Sequence, residues 1–242
     1  RVNSLAYSNF HKYYKKLFMG VRNTFLIDGI MNTVYDAAKT KNEQLLATAI
    51  SAYDSLPKYF TTIQKDEVYM KYYATTGETD KYVKYTTDFG NNHLMKIKPD
   101  SVNNYDKKQF PQYEKVLNST TGPVAKLDST QKAGLRSSLA HMEANKCGQS
   151  LNQIAWELFL KTTDNVALRN ALAWSKRSLE FAPDNAAYLD TYANLLYKLG
   201  QKQEAINTEK EALRLTDKKD AEAYKGAEDT LRKMTAGEKT WK

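Results

Sequence analysis

One cysteine and three histidines are the side chains best suited to making bonds, and their number and spacing restrict what they can do. Cys147 stands alone, which rules out an intrachain disulfide, a CxxC redox pair and a cysteine-built zinc site. A lone thiol beside Gly148 reads first as a small, partly buried packing residue and second as a reactive nucleophile. His11, His93 and His141 lie far apart, with neither HxxxH nor HExxH spacing, so no metal is expected. Carboxylates are plentiful, but most share their segments with lysines, as Glu204 does with Lys210, and read as solvated helix faces. There is no glycine-rich phosphate loop and no GxSxG elbow, so neither an enzyme nor a cofactor is expected. Asn118-Ser119-Thr120 fits the glycosylation triplet, which carries meaning only in a eukaryotic secretory setting.

Charge and aromatic content turn the reading from chemistry toward recognition. The net charge is +8, yet residues 151–242 carry 15 basic and 14 acidic side chains, so no basic stripe long enough for nucleic acid emerges. Lys12, Lys15 and Lys16 form the densest basic face, at helical spacing. The 17 tyrosines are the notable excess; Tyr69, Tyr72, Tyr73, Tyr82 and Tyr85 cluster with Phe89 at helical intervals. Such rings serve either as packing between helices or as rigid anchors for a partner. No run of eighteen apolar residues is present, so membrane insertion is not expected. The chain begins at Arg1 with neither methionine nor an apolar export segment, from which we expect that a signal or upstream segment has been removed.

The elements that must position these side chains are announced by an internal period. Shifting the segment 152–185 by 34 residues places Ala171 on Ala205, Leu172 on Ile206, Leu179 on Leu213 and Phe181 on Leu215. Small residues recur where two helices cross closely: Ala171 and Ala205 at one site, Ser178 and Ala212 at the next. Large apolar residues between them seal one helix pair against the following one. Pro183 stops a helix, Asp184 can cap its successor, and Gly200 supplies a left-handed turn within a pair. The segment "AAYLDTYANLLYKLGQKQEAINTEKEALRL" closely resembles a tetratricopeptide repeat, and "NQIAWELFLKTTDNVALRNALAWSKRSLEFAP" resembles one with departures. Phe159 stands where the family uses a small residue, Asp164-Asn165 replaces the turn glycine, and Glu209 replaces an aromatic. Ala221–Met234 reads as a capping helix and the final "TAGEKTWK" as a loose tail.

Upstream the helical pattern persists without a clean period. Helices are expected over Ser4–Met19, ending at Gly20, then over Thr24–Lys39 and Asn42–Leu56, stopped by Pro57. The stretch 66–90 reads as a divergent hairpin turning at Gly77. Between residues 96 and 128 Pro99, Pro111, Gly122 and Pro123 suggest an irregular linker with a short helix near Gln112–Leu117. Ser129–Asn145 then resumes helix beneath the first repeat. The expected fold is therefore all-α, an α-α superhelix of tetratricopeptide type. A divergent helical lobe (1–95) precedes the linker (96–128), and the repeats occupy 129–242.

The resemblance implies an interaction scaffold that binds a peptide or partner protein in a groove. By the same resemblance the inner helices present Gln153, Trp156 and Leu160 in the first unit, and Ala187, Asp190, Asn194 and Tyr197 in the second. Asp190 stands where some relatives carry a carboxylate-gripping lysine, so that grip is not expected. Residues 150–215 also resemble the C-terminal region of bacterial exported thioredoxin-like proteins. That likeness implies a periplasmic or otherwise exported setting and a helical arm serving a separate redox domain. Oligomeric state is not legible.

Overall fold

The computed structural model describes residues 19–55 and 64–241, with side chains from residue 26 onward. All of the expected helix Ser4–Met19 except Met19 itself, with His11, Lys12, Lys15 and Lys16, lies outside the described residues, as does the stop at Pro57. Among the described residues the chain is all-α: eleven α-helices, two short 3-10 turns and no strand. Contacts divide it into two compact units on either side of the Phe89–Gly90 bond, within the last turn of a helix.

In the first unit α1 (Met19–Thr40) packs against α2 (Glu43–Asp54) and α3 (Lys65–Thr76), and α4 begins at Thr79 and runs to Asn92. Gly20, expected to end a helix, lies inside α1. Asn42 caps α2 by accepting the Leu45 amide at 3.0 Å. Gly77 turns the chain between α3 and α4 with φ 79°, a region open to glycine at no steric cost. Part of the tyrosine excess is consumed here. Tyr85 lies parallel to both Tyr69 and Tyr73, with ring centroids 4.5 and 5.5 Å apart, so these rings bind α4 to α3.

The second unit begins in a segment where proline misleads a sequence reading. Residues 96–128 are not an irregular linker: α5 spans Pro99–Leu117. Pro99 occupies the first turn, where the amide it lacks has no helical partner, so it starts the helix rather than breaking it. Pro111 lies inside α5, and the carbonyl it deprives of a partner belongs to Lys107 on an exposed stretch that water can reach. The expected single helix over Ser129–Asn145 is two, α6 (Ser129–Ala140) and α7 (Met142–Lys161), interrupted at His141. Asp128 and Gln131 start α6 with reciprocal capping bonds.

The start of α7 is capped from elsewhere in the fold. Asp106, buried in α5, accepts the backbone amides of Glu143 and Ala144 at 3.1 and 3.0 Å. A carboxylate at a helix N-terminus meets both unpaired N–H groups and the positive end of the helix dipole. Replacing Asp106 with Ala strands these amides in a buried setting. We expect a loss of about 1–2 kcal/mol in denaturant unfolding, with Asp106→Asn recovering part of it.

Four helices come next in two closely packed pairs. α7 pairs most extensively with α8 (Asn165–Phe181), and α9 (Ala186–Lys198) with α10 (Lys202–Leu215); α9 also contacts α8, and α11 (Ala221–Ala236) covers α10. Asp164 caps α8 through the Ala167 amide. The cap of α9 is Asn185, which accepts the Tyr188 amide, and not Asp184, which lies one residue too far from the first turn. Gly200 carries φ 85° between α9 and α10. The inner face of α7 buries Ala144, Gly148, Leu151, Ala155, Leu158 and Phe159, a 3.6-residue stripe whose large members each contribute about 1.5–3 kcal/mol of burial.

Candidate functional site

The seven residues expected on a groove divide between surface and core. On α7, Gln153 is exposed and donates to Glu157 Oε1 at 3.2 Å, and Leu160 is 55% exposed. Trp156 is half-buried and stacks on Phe159, ring centroids 4.8 Å apart. On α9, Ala187 is exposed and Asp190 half-buried. Asn194 and Tyr197 are only 2% and 5% exposed and do not offer themselves to a partner. Both fall on the side of α9 that meets its neighbours, where Tyr197 joins Ala193, Leu196, Ala205 and Met234 in one core cluster. Of the seven, Gln153, Leu160 and Ala187 are thus exposed, and Trp156 and Asp190 are half-buried.

The chain's end, read as a loose tail, is tied back onto the fold. Gly237, with φ 77°, ends α11, and Trp241 then packs edge-on against Phe159 and Tyr197, with centroids 6.1 and 6.2 Å away. Lys198 joins this cluster. Its Nζ donates to the carbonyl oxygen of Phe159, near the C-terminal end of α7, where a cation meets the negative end of the dipole. The same ammonium lies 4.9 Å from the Phe159 ring centre and 5.3 Å from that of Trp241, and burial holds its pKa below the usual lysine value. A tryptophan near the end of a polar stretch was the sequence signal for this contact.

Small residues line the interface within each pair. Ala171, Ser175 and Ser178 on α8 are wholly buried, and so are Ala205 and Ala212 on α10 with Glu209 between them. Leu179 and Leu213 are half-buried at matching positions, Phe181 is buried, and Pro183 follows α8 in an exposed turn. Glu209 contradicts the expectation that the carboxylates lie on solvated faces: its relative exposure is 0% and neither carboxyl oxygen has a hydrogen-bond partner. Burial first, and the Asp190 charge second, push its pKa far above the carboxylate range. Asp190 is itself pushed up to about 6, chiefly by burial, although Asn194 Nδ2 donates to its Oδ1 at 3.1 Å.

The remaining candidates for chemistry stay apart. Cys147 is half-buried, and its thiol is raised above the usual value by burial and then by the nearby charges of Glu143 and Asp106, which favours the inert form. His141 is exposed at the break between α6 and α7, remote in sequence from His93. Among the described residues no three His, Cys, Asp or Glu side chains gather as metal ligands, and no helix is long and apolar enough to cross a membrane. Against models of protein families and against curated proteins, the chain finds no match.

Proposed function

We propose that α7 to α11 act as a tetratricopeptide-type helical scaffold that binds a peptide or partner protein. The observation that carries this reading is the coincidence of period and packing. Residues 34 apart in sequence occupy equivalent buried positions in successive helix pairs: Ala171 with Ala205, Ser175 with Glu209, Ser178 with Ala212. Repeated pairs of this kind present an extended face without building a reaction centre, so binding rather than catalysis is the natural use. The function is argued from the face, because a fold alone does not specify one.

The anchors we assign are Leu160 and Trp156, with Ala187 leaving room for the bound segment and Gln153 and Asp190 setting register at its edge. Bound segments gain from burying Leu160, an exposed leucine whose covering removes apolar surface from water. A displayed peptide library panned against the full chain tests the proposal. The selected peptide is expected to lose at least about tenfold in affinity with Leu160→Asp or Ala187→Asp, while the melting temperature stays unchanged. Arg214→Ala, on the exposed side of α10, should have no effect. Undiminished affinity in both α7 and α9 variants would place the binding face elsewhere.

A further inference from the structure

We infer that the α9–α10 hairpin closes around a proton held between Asp190 and Glu209, and that losing this proton at alkaline pH loosens the hairpin. The inference stands apart from the groove reading. Glu209 lies midway along the stripe of small residues that lets α10 approach α9, flanked by Ala205 and Ala212, each no more than 1% exposed. With both carboxyls ionised, neither oxygen of Glu209 has a donor, and an ionised carboxylate sealed from water without a partner is strongly disfavoured. One proton between the two groups changes this, because an O–H···O bond from Glu209 to Asp190 becomes available.

The surroundings offer no alternative neutralisation. On α9, Asn194 is committed to Asp190, donating to its backbone oxygen at 2.9 Å as well as to Oδ1. Among the described residues the one charge acting on Glu209 is that of Asp190; α11, the other helix against α10, sets none against it, and neither α7 nor α8, both packed on α9, sets one against Asp190. Asp190 is mostly but not fully enclosed, whereas Glu209 is sealed, so protons can reach the pair through Asp190. The equivalent position one period earlier holds Ser175, which is neutral, so only the second hairpin carries the device.

The sign is set by linkage. The folded chain holds the proton more tightly than the unfolded one, so the contribution of the pair is complete below the ordinary carboxylate range, near pH 4.5. It declines as pH rises toward the folded value of about 9. The test is thermal unfolding of the full chain between pH 5 and pH 9, with Glu209→Gln and Asp190→Asn beside the wild type. The advantage of Glu209→Gln over the wild type is expected to grow by about 5 °C or more across this range. Hydrogen exchange of the α9 and α10 amides, corrected for intrinsic rates, should accelerate in the wild type at the alkaline end. If Glu209→Gln does not fold, Asp190→Asn must make the profile shallower in its place without abolishing it, because burial still acts on Glu209. A constant offset between variant and wild type overturns the inference. So does recovery of alkaline stability with millimolar sodium or calcium chloride, which would make the pair a cation site.

Discussion

Trp174→Ala is expected to cost about 3–5 kcal/mol, the largest loss from any single truncation in the second unit. Trp174 is fully buried in α8, and its removal leaves a cavity walled by helices that cannot collapse into it. The ring is held by shape and by one bond, from Nε1 to Asn91 Oδ1 at 2.9 Å. Trp174→Phe keeps part of the volume and loses that bond. Because Asn91 is exposed and water can replace the indole donor, we expect this variant to recover more than half of the loss. Denaturant titration followed by circular dichroism measures both, and equal losses for Ala and Phe would assign the cost to the hydrogen bond instead of the cavity.

Gly90→Ala comes second, at about 2–3 kcal/mol, against the direction of helix propensity. Gly90 lies in the last turn of α4, where alanine would by itself stabilise the helix by about 1 kcal/mol. A Cβ at this position falls 2.6 Å from two atoms of the Trp174 indole and 3.1 Å from Ile154 Cδ1. The indole cannot swing away, because it is enclosed and bonded to the neighbouring Asn91. The clash should therefore vanish when the ring is absent. In a double-mutant cycle Gly90→Ala is expected to cost little or to stabilise on the Trp174→Ala background, a coupling that strictly additive losses would disprove.

How much of this was legible in the residues can be judged position by position. Helices α8 to α11 follow apolar periods strong enough to read directly, and the small residues Ala171, Ser178, Ala205 and Ala212 marked positions that are fully buried. Other features depend on partners distant in sequence. Nothing near Asp106 indicates that it caps a helix 37 residues later. Pro99 carries the same letter whether it ends a helix or starts one, and the choice is made by the packing of the residues on its C-terminal side. Asp184 and Asn185 are equally good capping types, and the single-residue difference depends on where α9 packs. On the candidate face, Leu160 and Ala187 lie on the exposed sides of their helices, but Asn194 and Tyr197 are drawn inward by α10 and α11, whose positions the local period of α9 does not encode. Glu209 was visible as a departure from the family pattern, yet only its enclosure gives that departure a consequence.

The bond from Asp106 to the start of α7 also decides how the chain can be divided. A fragment beginning at Ser129, the natural cut for anyone wishing to isolate the C-terminal helices, would leave behind the carboxylate that holds the first amides of α7. Its leading turn would fray, carrying Gly148, whose close approach to Tyr188 and Phe181 knits three helices together, nearer to the loosened end. The smallest piece able to keep its shape must therefore start ahead of Pro99, and expression vectors trimmed any shorter should yield protein that melts earlier and aggregates more readily.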